Sequence, residues 1–140
     1  MRAMRRWLAI LAAALAVPAG AAEAPQPAGL WLSPHSDVAV RTAPCGNRLC
    51  GWVVWASATA QADARAGGTD RLIGTELLED YTTDGRGTWS GTVFVPDMGR
   101  RFSSRIEQPS VDRLQIRGCL LGEMLCRTQM WTRIAQVPRG

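Results

Sequence analysis

The most definite chemistry in this chain belongs to its four cysteines. They fall in two close pairs, Cys45-Gly-Asn-Arg-Leu-Cys50 and Cys119-Leu-Leu-Gly-Glu-Met-Leu-Cys126. Each pair flanks a short turn between strand-like runs. Cysteines facing each other across a hairpin come within bonding distance. The reading is two hairpin disulfides, Cys45–Cys50 and Cys119–Cys126. Each is worth about 2 kcal/mol by restricting the unfolded chain. A crossed pairing between the hairpins is one alternative, and a zinc site is another. Neither spacing is that of a usual zinc knuckle, and no Cys-x-x-Cys opens a helix for redox work.

Acid–base groups are sparse. His35 is the single histidine. Ser36 and Asp37 follow it directly, but neighbours in an extended turn point in different directions and cannot form a relay. Turn chemistry accounts for all three, and for Asp84 and Asp97 in their glycine-containing turns. No carboxylate pair stands out, and no glycine-rich phosphate loop follows a strand. The expectation is a protein without catalytic residues, metal or cofactor.

Aromatic residues offer more. Trp31, Trp52, Trp55, Trp89 and Trp131 remain once an N-terminal leader is set aside. They are expected mainly in a core, with some walling a pocket. Trp52 and Trp55 lie three apart, so they point to opposite faces of one strand unless a bulge intervenes. Arg117, Gln129 and Arg133 lie on the last strands, and Gln129, Trp131 and Arg133 share a face. Arginine or glutamine facing a barrel interior needs a partner, and an anionic head group could serve. Trp89, Arg117, Gln129 and Trp131 are therefore the expected ligand-binding residues. The alternative is a solvated outer face, or a structural stack of Arg133 on Trp31.

These residues must be held by short strands. Residues 1–21 read as a secretory signal peptide: a basic start, an apolar run from Trp7 to Val17 too short to span a bilayer, and small residues before a cut after Ala21, with Ala24 as the alternative. Residues 22–28 read as a flexible Pro/Ala-rich tail, and residues 29–136 as one domain. The leader removes three of the sixteen basic residues, all arginines, leaving thirteen against twelve acids. That balance carries no basic run for nucleic acid. No second hydrophobic span follows, so the expected product is exported, periplasmic and not membrane-spanning.

Strands are expected at Leu30–Ser33, Asp37–Ala43, Cys50–Ala56, Arg71–Tyr81, Thr88–Val95, Arg100–Gln108, Arg113–Cys119 and Cys126–Ile134. The alanine-rich Ser57–Asp70 breaks the rhythm as a helical turn or a long loop. Alternation is clear late in the chain: Trp89, Gly91, Val93 and Val95 share a face, as do Phe102, Ser104 and Ile106, and Leu114, Ile116 and Gly118. Gly51, Gly91 and Gly118 inside strands are expected to mark bends. Period two with short connections predicts an all-β, eight-stranded antiparallel up-and-down barrel. Such a barrel is either filled by side chains or holds one small ligand.

Gly29-x-Trp31 in the first strand with Arg133 in the last resembles the lipocalin signature, in which the arginine packs over the tryptophan. This implies a structural clasp of Gly29, Trp31 and Arg133. A wider set resembles the exported bacterial family called domain of unknown function 2147. It comprises Gly29-Leu30-Trp31, Cys45 to Trp52, Trp89-x-Gly91, Asp97-x-Gly99, Leu114 to Cys119 and Thr128 to Arg133. The resemblance implies a lipocalin-like barrel and no established activity. The chain departs from that pattern in Ser57–Ala66 and in Phe102, where a tyrosine is common. Together these readings favour a non-enzymatic binder or carrier of a small apolar or amphipathic ligand. The competing reading is a filled barrel acting as an envelope interaction or assembly module, and a third is an enzyme of unrecognised type. No protein partner is named by the sequence.

Overall fold

The computed structural model describes residues 14–16 and 27–139. Apart from 14–16, the expected leader lies outside the described residues, as do 22–26 of the expected tail. The strands are β1 (Gly29–Leu32), β2 (Val38–Cys45), β3 (Arg48–Ala56), β4 (Glu76–Thr83), β5 (Thr88–Val95), β6 (Arg100–Ser110), β7 (Arg113–Leu121) and β8 (Met124–Ile134). They pair antiparallel in sequence order, and β1 also pairs with β8, so the barrel closes. This is the expected up-and-down, eight-stranded barrel.

One helix, α1 (Ala58–Ala66), interrupts the meander. Alanine favours helix, and Ser57 caps it by accepting a hydrogen bond from the Ala60 N–H at 3.1 Å. The stretch left open between a helical turn and a loop is thus a helix. Ala64 turns inward from it to join Leu72, Leu77 and Val53 in the core. The next strand starts at Glu76 rather than Arg71, because residues 71–75 fold back on β3. There the Gly74 N–H bonds Val53 O at 2.7 Å and the Val53 N–H bonds Thr75 O at 2.9 Å.

The connections sort into two rims. The lower rim carries Pro27 and Ala28, the β2–β3, β4–β5 and β6–β7 turns, and the end of β8. The upper rim carries the β1–β2 turn, α1, and the β5–β6 and β7–β8 turns. Both disulfides form as the hairpin reading expected, Cys45–Cys50 on the lower rim and Cys119–Cys126 on the upper. Their Cα atoms stand 5.8 and 4.0 Å apart. Each closes a strand pair behind its turn.

Of the three strand glycines, Gly51 sits at a break in register between β3 and β4, and Gly91 lies opposite the break between β4 and β5. Gly118 lies in unbroken ladders, and Gly91 and Gly118 stand opposite Ser104 on β6 from either side. At Gly91 the reason is close approach: a Cβ there would stand 2.7 Å from the ring of buried Tyr81. The bulge that Trp52 and Trp55 required is present. Ala39 faces Trp55 while Val40 faces Val53, leaving Val54 extra. Both tryptophans consequently lie on the side that carries exposed Arg41, and both are half-buried.

Candidate functional site: an apolar mouth between β5 and β8

The lower end of the barrel is full. Trp31 is completely buried, and its indole N–H donates to Pro27 O at 2.9 Å and Thr42 Oγ1 at 3.0 Å. The Thr42 hydroxyl also donates to Pro27 O. The Arg133 guanidinium stacks on Trp31, with Cζ 4.2 Å from the ring centroid. It donates to Ala28 O at 2.9 Å and Val111 O at 2.7 Å. Gly29 has φ +145°, a conformation that residues with side chains rarely adopt, and any Cβ there would strike the guanidinium. Pro27 and Ala28, the end of the expected tail, are thereby bonded into the lower rim. Leu114, Ile106 and Trp131 complete this plug.

Going up, four strands run side by side with matched registers. Trp89, Ile106, Ile116 and Gln129 form one inward row across β5 to β8. Gly91, Ser104, Gly118 and Arg127 form the next. Three small residues in a row take up little of the interior. Above and beside them opens a cavity of about 600 Å³, lined by Val93, Val95, Phe102, Ile116, Arg127 and Gln129 among others. Its lip is made by Met98 of the β5–β6 turn and by Leu120 and Leu125 of the β7–β8 hairpin. α1 and Leu72 fill the opposite, β1–β4 side, so the mouth is off-centre.

Three polar side chains line the cavity, Asp97, Arg127 and Gln129, and all three are exposed. Gln129 accepts a hydrogen bond from the Trp131 indole N–H at 3.1 Å, which fixes its side chain at the floor. Arg127 makes no ion pair among the described residues. Behind the floor, the Tyr81 hydroxyl and Ser104 Oγ are buried without a hydrogen-bond partner of good geometry. Burial pushes the Tyr81 hydroxyl well above its ordinary range, only partly offset by Ser104, so it stays protonated.

The four residues expected at a ligand separate. Gln129 lines the cavity. Trp131 lies under it, in the core, and holds Gln129. Trp89 belongs to the floor row but packs against the core rather than lining the space. Arg117 faces outward, opposite Arg105, into a separate polar groove of about 450 Å³ with Ser103 and Glu123. Strand alternation requires this, since Ile116 and Gly118 on either side of it face in. The arginine at the cavity is instead Arg127, which two-residue spacing from Gln129, Trp131 and Arg133 already indicates.

The other chemistry-bearing residues lie apart from one another, several of them bonded within turns. Ser33 Oγ donates to Asp37 at 2.6 Å and accepts from the Asp37 and Val38 N–H groups, so Asp37 serves its turn. His35 is exposed and bonds to neither Ser36 nor Asp37. Asp84 accepts from the Arg86 and Thr88 N–H groups at 2.7 and 3.1 Å, which lowers its carboxyl below the usual range. Asp80 approaches Cys45 and Cys50, but both sulfurs are already bonded to each other.

The profile of a bacterial family described as an uncharacterized protein conserved in bacteria, DUF2147, matches residues 29–133. The chain belongs to that family. In this member of DUF2147 the matched stretch runs from the glycine under Arg133 to Arg133 itself, the whole circuit of the barrel. Its barrel is similar to a solved structure from the human pathogen Helicobacter pylori, described as a protein that belongs to the lipocalin family. The TM-score is 0.61 at 14% identity, over 79% of this chain and 84% of that one. The likeness is one of fold. Among curated proteins there is no match.

Proposed function

We propose that the protein is an exported, periplasmic, non-enzymatic carrier of a small amphipathic molecule. The observation that carries this reading is the cavity of about 600 Å³, apolar around most of its wall, with one inward arginine at its edge. An acyl or similar apolar chain would lie against Val93, Val95, Phe102 and Ile116. An anionic head would meet Arg127, with Gln129 as a second polar contact. Trp131 acts as a positioning residue for Gln129, and Trp89 closes the floor behind Ile116. Two disulfides and the leader-like N-terminus support the periplasmic assignment.

Native mass spectrometry of protein purified from its own periplasm tests the reading, together with titration of anionic and neutral amphiphiles followed by tryptophan fluorescence. The expected result is a mass adduct, and tighter binding of the anionic series. Absence of an adduct, with fluorescence indifferent to every amphiphile, would sink the carrier reading.

A further inference from the structure

The hairpin that overhangs the mouth exposes an unusual amount of apolar surface. Leu120, Leu121, Met124 and Leu125 are 52%, 63%, 69% and 68% exposed. Met98 and Ile73, at 52% and 41%, project from the same rim, whereas the lower rim exposes Val111 alone among the described large apolar residues. The hairpin residues are not all on one side. Leu121 and Met124 pair on the outer face, while Leu120 and Leu125 turn to the cavity lip. A flat protein partner would cover one face of such a tip and leave the other wet. A fluid apolar phase covers both. The Cys119–Cys126 disulfide stands directly behind the tip and keeps it a single projecting unit.

Charge behind the tip favours the same partner. Arg105, Arg117 and Arg127 lie on the rungs just below the disulfide, and Arg100 and Arg101 begin β6 on the same rim. Of the carboxylates on that side, Glu123 is neutralised by Arg105 at 2.6 Å and Glu79 is held by Arg101 at 3.0 Å, which leaves Asp97 and Glu76, the latter also near Arg101. An apolar tip backed by arginine is the arrangement that binds an anionic lipid interface, with side chains among the acyl chains and guanidinium groups at the phosphates.

We infer that the β7–β8 hairpin docks the barrel, mouth first, onto an anionic phospholipid surface. Arg127, Leu120 and Leu125 border both the tip and the cavity, so the test uses Leu121, Met124 and Arg117, which do not line the cavity and whose failure is read separately from that of the carrier reading. The test is co-sedimentation of the disulfide-intact mature protein with vesicles of phosphatidylglycerol and phosphatidylethanolamine, and with vesicles of phosphatidylcholine alone. Binding to the anionic vesicles is expected to be at least tenfold tighter and to weaken with salt. The exposed double variant Leu121→Asn/Met124→Asn should keep its circular dichroism and amphiphile binding yet lose tenfold or more in vesicle affinity. Arg117→Gln should lose severalfold on anionic vesicles only. No sedimentation with either vesicle overturns the inference, and so does a double variant that binds as the parent does. So does a parent that dimerises without lipid while the double variant stays monomeric, because the tip would then be covered by a second copy.

Discussion

At the closed end the inward positions of β8 and β1 are held by Trp131 and Trp31; four residues back along β8, at the open end, stands Arg127. The same strands and the same alternation thus give a solid plug below and a container above. What differs is the size and hydration of the inward side chains. Indole rings fill the lower section, and each finds a partner for its N–H. The row Gly91, Ser104, Gly118 leaves the upper section unfilled, and Arg127 keeps one edge of it wet. Fold stability and ligand capacity therefore reside in different rungs of the same four strands.

Equal truncations at the two ends are the sharpest way to break this comparison. Trp31→Ala removes a wholly buried ring, the seat of the Arg133 stack and two hydrogen bonds, and should cost about 3–5 kcal/mol in urea unfolding. Phe102→Ala, at the half-buried mouth, should cost less than half of that; equal losses would mean that the mouth is as tightly packed as the plug. Opening the upper disulfide with Cys119→Ser/Cys126→Ser should lower stability by about 2 kcal/mol on the chain-entropy account, read from the same unfolding curves. Arg127→Ala should leave the melting temperature nearly unchanged. It should weaken anionic amphiphiles about tenfold, or about 1.4 kcal/mol, while neutral analogues lose little. A loss common to both series would show that Arg127 shapes the cavity rather than reading charge.

The smallest effect belongs to the lower rim. The Asp84 carboxylate is held ionised by the Arg86 and Thr88 N–H groups, so its midpoint lies below that of the unfolded chain. Its contribution is present above the unfolded carboxylate range and lost as pH falls through the lowered midpoint. Carboxyl titration by NMR should find Asp84 below the usual carboxylate value, and Asp84→Asn should remove the acid-dependent loosening of the 84–87 turn.

Much of this was legible in the residues. The late strands alternate cleanly because one face is buried and the other wet, so Trp89 to Val95, Phe102 to Ile106 and Leu114 to Gly118 read correctly. The hairpin cysteines reveal their pairing because their spacing leaves room for a turn and little else. The early strands were harder. Val54 is an extra residue in β3, and one such insertion swings Trp55 to the side of Trp52. α1 was ambiguous because nine residues rich in alanine suit a helix or a loop, and the open end of the barrel decides. The site was half legible. Gln129 follows from its phase with Trp131, but Arg127 was passed over for Arg117, though the face shared by Gln129, Trp131 and Arg133 includes it. Cavity volume was not legible at all, since it depends on Gly91 and Gly118 facing Ser104 across three separate strands.

The clasp has a consequence in time. Arg133 meets Ala28 across 105 positions of the chain, and β8 is the last strand to be made. A chain delivered from its N-terminus, by a ribosome or through a translocation pore, presents Trp31 long before the guanidinium that covers it. Until then β1 has only one neighbour, and the lower plug stands open to water on its β8 side. Closing the circle late requires a long loop to be gathered before its contacts form, which slows folding and exposes a sticky edge meanwhile. The barrel is sealed by a residue of the last of its eight strands to be made.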